Sequence, residues 1–477
     1  MKTHKLIYRT VLLIIFLTVL SGCDKFLDQK PDMSKAVPRT IEDCQAILDD
    51  YNIMNRGYPE QGEAAADNYF FSDENFNNLY DYNVLIQESK DNYIWNPNGE
   101  HVSQWSAGYR IVYSSNLVLD VVNNLSTNEV HFNQVKGAAL YFRAFALYNL
   151  AQLFCKSYNE TTANMDLGIP IRLTSDPNEI STRGTVKDVY NQIIKDFTEA
   201  ISLLPIEVQL KSRPSKVAAY GALARTYLSM QDYVNAGKMA DECLKLYNTL
   251  IDYNLKSEIP TNFTVSSKQS GASFLRFNAE VIFQAVTLYG TLDPNLAEVS
   301  PTLYNSYSAN DRRKSVFFGE GTDWMGNPNG ILGFRGNYDG AYNGTLTSSL
   351  FMGVATNEMY LIRAECYARE GNISLAMKDL NALLVKRMEP PYVNRTASST
   401  NDALKQILTE RRKELVFRTL RWTDLRRLNS DPQFAVTLHR DMNAILYTPL
   451  KPNDLRYVFL IPTKEVIDLT GMKQNPR

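Results

Sequence analysis

Two stretches of this 477-residue chain gather side chains able to hold a small ligand. In the first, Tyr93, Trp95, Asn96 and Asn98 place two flat rings beside two amides within six residues. In the second, Trp324, Arg335 and Tyr338 place a guanidinium between two rings. Rings stack on apolar faces, while amide, guanidinium and phenol groups hydrogen-bond a polar rim, so the mix suits a ligand with both. Reaction chemistry is much less visible. There is no G-x-S-x-G, no H-E-x-x-H and no phosphate-loop spacing, and His101, His131 and His439 lack ligand spacing. Cys44, Cys155, Cys243 and Cys366 form no C-x-x-C and lie in apolar helical segments, as small core residues do. A disulfide among them stays open. No metal and no cofactor is called for.

Cys23 carries a different chemistry. Lys2, Lys5 and Arg9 precede an apolar run from Val11 to Leu20, and Ser21-Gly22 lead directly into Cys23. A basic start, a short apolar run and small residues at a cut site describe an export signal. The run is short of the roughly 20 apolar residues that span a bilayer. With the cysteine placed at its end, the segment resembles a bacterial lipobox. Cleavage then leaves Cys23 as a lipidated N-terminus, and two or more acyl chains make a stable anchor. Residues 1–22 are read as signal peptide and 23–39 as tether. Fifty basic against 52 acidic residues make the precursor nearly neutral, and loss of the leader makes it mildly acidic, which does not suggest a nucleic-acid partner.

The elements that must position these residues are mostly helical. Apolar periodicity predicts helices at about 40–54, 102–125, 133–154 and 186–204. The third is apolar nearly all round, so Arg143 inside it requires a buried carboxylate partner. Tyr220, Ala224, Tyr227 and Ala236 share their spacing with Tyr360, Ala364, Tyr367 and Ala376. That is the tetratricopeptide pattern, in which small residues let two helices approach and Tyr fills the gap. Tetratricopeptide-like pairs are placed near 133–204, 216–248 and 357–388. Between them, 67–98 and 301–345 are read as irregular ligand-side loops. The first holds eight Asn, and eight of the 23 glycines fall between Gly319 and Gly344. Glu280–Tyr289 reads as a strand. Arg411 falls inside an apolar stripe and Asp424 follows Trp422, so these residues, with Arg143, are read as structural. Trp105 is likewise assigned to the core.

The order of these segments resembles the SusD/RagB family of outer-membrane lipoproteins. The resemblance rests on C-D-K-F-L-D from Cys23, on Arg143-Ala144 leading to Gly168-Ile169-Pro170, and on Met359-Tyr360-Leu361-Ile362-Arg363-Ala364-Glu365. It continues in E-R-R-K-E-L at 410–415, Arg421-Trp422-x-Asp424-Leu425 and Ile461-Pro462-x-x-Glu465, ending at Gln474-Asn475-Pro476. Two departures stand out: Ala355 where the family often has Arg, and Arg418-Thr419 where it often has Glu-Gly. The resemblance implies a mainly α fold of tetratricopeptide-like helix pairs with large irregular insertions, in a single domain over 40–477. It implies no catalysis. It also implies surface capture of oligosaccharides, or in some relatives of peptides, beneath which a SusC-like TonB-dependent transporter sits. A sugar ring has apolar C–H faces and a hydroxyl rim, which fits the two aromatic stretches. The rival readings are a surface glycosidase, which needs only two carboxylates about 5–10 Å apart, and a helical-repeat scaffold with no small ligand.

Overall fold

A computed structural model describes residues 38–78, 84–128, 130–255, 257–259, 274–288, 292, 295–322, 327–342, 345–346 and 349–477. Cys23 with its leader, and Trp324, lie outside the described residues.

Helix α1 (Ile41–Leu48) begins at a capping box, with Thr40 Oγ1 accepting from the Asp43 N–H and the Asp43 carboxylate accepting from the Thr40 N–H. The single helix expected to Met54 is broken at Asp49-Asp50. There Asp50 turns its carboxylate onto the N–H groups of Asn52 and Ile53 and starts a new turn, Tyr51–Met54. Next come the short buried helix α2 (Gln61–Ala64) and α3 (Val84–Tyr93). The stretch 67–98 is therefore less irregular than expected. Its Asn-rich composition, poor in helix formers, masks α3 and a second short helix, Asp73–Asn78.

The frame continues through α4 (Val102–Val122), α5 (Phe132–Phe154), α6 (Val186–Leu203), α7 (Lys216–Ser229), α8 (Tyr233–Leu246), α9 (Thr356–Arg369), α10 (Ile373–Leu384), α11 (Thr400–Glu414) and α12 (Arg421–Leu428). From α4 to α10 each helix packs on the next, and α11 packs on α9, which makes a continuous helical stack. The repeated spacing falls on α7–α8 and α9–α10, each pair joined by a tight turn. The second copy thus docks directly on the first, although more than a hundred residues separate α8 from α9 in sequence. Gly221 permits a close approach within this stack: a Cβ there would lie 2.5 Å from Val354 Cγ1.

Strands are short and pair two by two. Val281–Phe283, within the expected strand, runs antiparallel to Val354–Ala355 at the entry to α9. Tyr69–Phe70 pairs with Glu298–Val299, so the first ligand-side stretch is tied to the chain just before the second. Phe318–Thr322 pairs with Pro328–Phe334, a hairpin where an irregular Gly-rich loop was expected. Its glycines, at 319, 321, 330 and 333, leave no apolar alternation for a strand pattern to show.

Three apolar cores result. The largest lies among α1 and α4–α9 and takes in Trp105 and Trp422. Another joins α9, α10 and α11. The third gathers Tyr69, Phe71, Phe76, Tyr93, Phe317, Phe318, Phe334, Tyr338 and Phe417 from the loops. Between the last two runs a layer of buried ions. Arg387 donates to Glu414 at 2.8 Å and to Glu280 at 2.6 Å, while Arg313 binds Asp311 at 2.7 Å and Glu414 at 3.2 Å. Lys413 reaches Asp311 at 2.8 Å and Glu410 at 3.1 Å. Burial alone would hold Glu414 protonated, but Arg387 and Arg313 more than offset it and keep the carboxyl ionised.

The buried cations read as structural all have partners of this kind. Arg143 makes a two-pronged bond to Asp196, both at 2.8 Å, and Asp196 is the carboxylate its position requires. Arg411 donates to Asp424 at 2.8 Å, and Asp424 also accepts from Arg427 at 2.8 Å. The four cysteines are buried and free, with no disulfide among them.

Candidate functional site

The structure brings the two ligand-side stretches together, but through their backs. Phe334, at the end of the hairpin, packs 4.8 Å from Phe417, and Phe417 packs 6.4 Å from Tyr69 of the first stretch. The rings meet as a packed core and not as an open platform.

Tyr93 is only 2% exposed. Its ring is covered by Tyr69, Phe71 and Phe76 with centroids 5.1–5.7 Å away, and its hydroxyl accepts from the Phe71 N–H at 3.2 Å. Trp95, 4% exposed, turns the other way into the helical core and donates Nε1–H to the Ala65 carbonyl at 2.9 Å. It has φ 54°, so this left-handed residue directs two rings, two positions apart, into different cores. Tyr338 is fully buried; its hydroxyl bonds Glu280 Oε2 and accepts from Asn357 Nδ2 at 3.3 Å. Burial, and next the Glu280 charge, push the Tyr338 phenol far above its ordinary pKa. Arg335 is a strap: its guanidinium donates to the Glu320 carbonyl at 2.8 Å and its backbone N–H to the Phe317 carbonyl at 2.6 Å. As direct ligand contacts these four residues are corrected: their faces and donors are already engaged inside the protein. Composition places aromatics in a loop but does not say which side of it they face.

Asn96 and Asn98 remain at the surface, Asn96 half-buried and Asn98 exposed. Asn96 Nδ2 donates to Asp91 at 2.8 Å and Asn96 Oδ1 accepts the Asn98 N–H at 3.1 Å, which fixes a tight turn and leaves the Asn98 side chain at its tip. The turn is backed by Arg477, whose Nε donates to the Pro97 carbonyl at 2.6 Å. At the other stretch, residues 327–330 form the exposed end of the hairpin. Asn329 fastens this end to the Asn295 carbonyl at 2.9 Å. Trp324 lies between residues 322 and 328 in sequence, outside the described residues.

Two arginines that sequence reasoning did not select hold the arrangement. Arg440 lies 4.2 Å from the centre of the Tyr93 ring and 5.0 Å from that of Trp95, and it donates to the carbonyls of Ala66 and Tyr93. Arg418 lies against Tyr338. Neither residue sits in a periodic segment; Arg418 stood out only as a departure from the family pattern, and nothing in the sequence marked Arg440. Beneath the first stretch, burial pushes the Glu63 carboxyl up to about 7, with the Asn68 hydrogen bond at 2.8 Å opposing and Asp67 adding to the rise. Asp67 is held well below the usual carboxylate range: burial acts against ionisation, but Arg421 and Arg412 outweigh it. Among the described residues no group of three or more His, Cys, Asp or Glu could hold a metal ion. Among the described residues no helix is long and apolar enough to cross a membrane.

Residues 25–228 match a family model described as starch-binding, associating with outer membrane, and residues 352–477 match one described as SusD family. Two proteins of Formosa agariphila are similar. SusD-like protein P38 is 24% identical over 243 residues, covering 49% of this chain and 44% of that protein. SusD-like protein P2 is 26% identical over 382 residues, covering 69% of this chain and 72% of that protein. The alignment with P38 thus spans less than half of that relative. A SusD superfamily protein from Bacteroides vulgatus shares the fold with a TM-score of 0.72 at 22% identity, over 92% of this chain and 99% of the other. A structure named as a laminarin-binding SusD-like protein shares it with a TM-score of 0.64 at 17% identity, over 92% of this chain and all of the other. With matches at both ends and one fold across nine-tenths of its length, the chain belongs to the SusD/RagB family.

Proposed function

We propose that this protein is a non-catalytic surface receptor for oligosaccharides. Lipid on Cys23 holds it at the outer membrane, and it passes ligand to a SusC-like TonB-dependent transporter. The observation that carries the reading is the match of residues 25–228, which include the whole first ligand-side stretch, to a model described as starch-binding and associating with outer membrane. The fold neighbour named for laminarin binding supports the ligand class.

In this reading the loop core is a mount. Tyr93, Trp95, Arg335 and Tyr338 hold the two loop ends rigid, and ligand contact falls to Asn96, Asn98 and Trp324. A rigid mount matters because flexible polar groups lose rotamer freedom on binding, which subtracts from affinity. An indole supplies the stacking face and the amides address the hydroxyl rim. Calorimetry of the full chain against oligosaccharides and against peptides is the test. Micromolar to millimolar glycan binding that weakens in Trp324→Ala supports the reading. Glycan cleavage, binding of peptides only, or affinity untouched by Trp324→Ala overturns it. Co-purification with the transporter tests the partner separately.

A further inference from the structure

A second groove lies behind the Asn96–Asn98 turn, with Arg477 bonded to both. Two adjoining cavities, of about 290 and 220 Å³, share Lys156, Asp166, Leu455 and Val458 in their walls. They run between the turn that follows α5, the segment 453–458 and the C-terminal strand of chain near Asn475.

The two ends differ in chemistry. The larger cavity has a neutral polar lining that includes Asn429, at the C-terminus of α12, and Tyr457. Both are more than nine-tenths buried, yet the amide N and O of Asn429 and the Tyr457 hydroxyl have no hydrogen-bonded partner of normal geometry. They are neighbours, since Asn429 offsets part of the rise that burial imposes on the Tyr457 phenol. Apart from that loose contact with the Tyr457 hydroxyl, the Asn429 amide is unsatisfied, and a buried amide is costly to leave so. The cations and anions nearby are already engaged: Lys156 binds Asp166 at 2.6 Å, and Arg426 donates to the carbonyls of Gln152 and Cys155. The smaller cavity is walled by aliphatic side chains, among them Met165, which is 71% exposed, and Leu455. Exposed Lys473 stands on its rim.

We propose that this groove binds a short extended peptide, with an aliphatic side chain on Met165 and Leu455, a carboxylate at Lys473, and a peptide group facing Asn429. An amide that offers one donor and one acceptor is complementary to a peptide group, which offers the same pair reversed. A glycan fits less well, because no aromatic face is open for stacking: the Tyr457 ring is covered by Trp422 at 4.7 Å. Lys156 and Asn453 are surface side chains at the mouth of the larger cavity, and their rotation gives access to its floor. The groove stands back to back with the Asn96–Asn98 turn: Arg477 donates to the Pro97 carbonyl at 2.6 Å on one side and to the Val458 carbonyl at 2.8 Å on the other, while neither Asn96 nor Asn98 lines the groove.

The test uses the full chain in detergent with ¹³C-methyl methionine, where Met165 reports on the groove and the buried methionines serve as controls. The probes are acetyl-Ala-Leu-Glu with a free carboxyl end, its fully amidated Gln counterpart, and a laminarin-derived trisaccharide. The acidic peptide is expected to shift the Met165 methyl saturably below roughly 10 mM, with the neutral peptide and Lys473→Ala each weakening it about tenfold. Asn429→Asp is expected to weaken both peptides, and Lys473→Ala, being a surface change, keeps the fold intact. A Met165 signal silent to both peptides, a shift indifferent to Lys473→Ala, or a response to the trisaccharide instead, each overturns the proposal.

Discussion

The Arg418 guanidinium lies 3.4 Å from the centre of the Tyr338 ring, with the neighbouring Phe351 ring beside it at 4.9 Å. This buried stack fastens the second ligand-side stretch to the turn after α11. The turn itself is strained, since Phe417 and Thr419 have φ of 55° and 59°. A β-branched residue rarely adopts that conformation. Glycine, lacking a Cβ, accepts it freely. Replacing Thr419 by Gly is expected to stabilise the protein by about 1 kcal/mol, the left-handed penalty less the greater unfolded entropy of Gly. A denaturation midpoint that falls in the variant would show the turn to be unstrained.

The buried ion layer gives a second expectation. Glu414 accepts from Arg387, Arg313 and Asn357 at once. Glu414→Gln leaves two buried guanidinium groups short of charge and should cost about 3–5 kcal/mol. Because the layer is dry, the loss should persist in 1 M salt, whereas exposed pairs such as Lys187 with Glu160 are screened there. Chemical denaturation at two salt concentrations measures both.

Glu63 predicts a pH dependence. Its folded pKa, about 7, lies above its ordinary 4.5, so the folded state binds the proton more tightly than the unfolded one. Its contribution is therefore most favourable below pH 4.5 and is lost as pH rises toward 7, by about 3 kcal/mol in all. Glu63→Gln should flatten the fall in stability between pH 5 and 8 relative to the wild type. Equal slopes in the two proteins would locate the titration elsewhere, with Glu88, also raised to about 7 by burial, the next group to replace.

Mount and contact residues should separate in experiment. Tyr93→Ala removes a buried ring and should lower stability by about 3–5 kcal/mol. Asn98→Ala, at an exposed tip, should change stability by less than about 0.5 kcal/mol while weakening glycan affinity several-fold. Paired melting curves and binding isotherms give the comparison. Affinity lost only in step with stability would remove Asn98 from the site.

Much of the frame could be read from the chain itself. Arg143 in an apolar helix demanded an acid, and Asp196 is there. The Tyr-Ala-Tyr-Ala spacing marked both docked pairs because close helix packing restricts those positions to small and flat residues. The site was less legible. Aromatics in 67–98 and 301–345 could serve a ligand or a core, and without periodicity nothing in the spacing of Tyr93 and Trp95 tells which way they turn. A left-handed residue at Trp95 decides that, and no local sequence rule anticipates it for tryptophan. Arg440 and Arg418 escaped because their partners are carbonyls and rings, which leave no paired acid in the sequence to find.

The ion layer between the helical cores and the loop core has an evolutionary consequence. An apolar interface would tie each loop side chain to the shape of its neighbours, so changes in ligand preference would force repacking of the helices. Here the junction is concentrated in a few fixed charges, Glu280 and Asp311 on the loop side against Arg387 and Lys413 on the helical side. A change in the segments between those positions that leaves the four charges in place would not require the helices to repack.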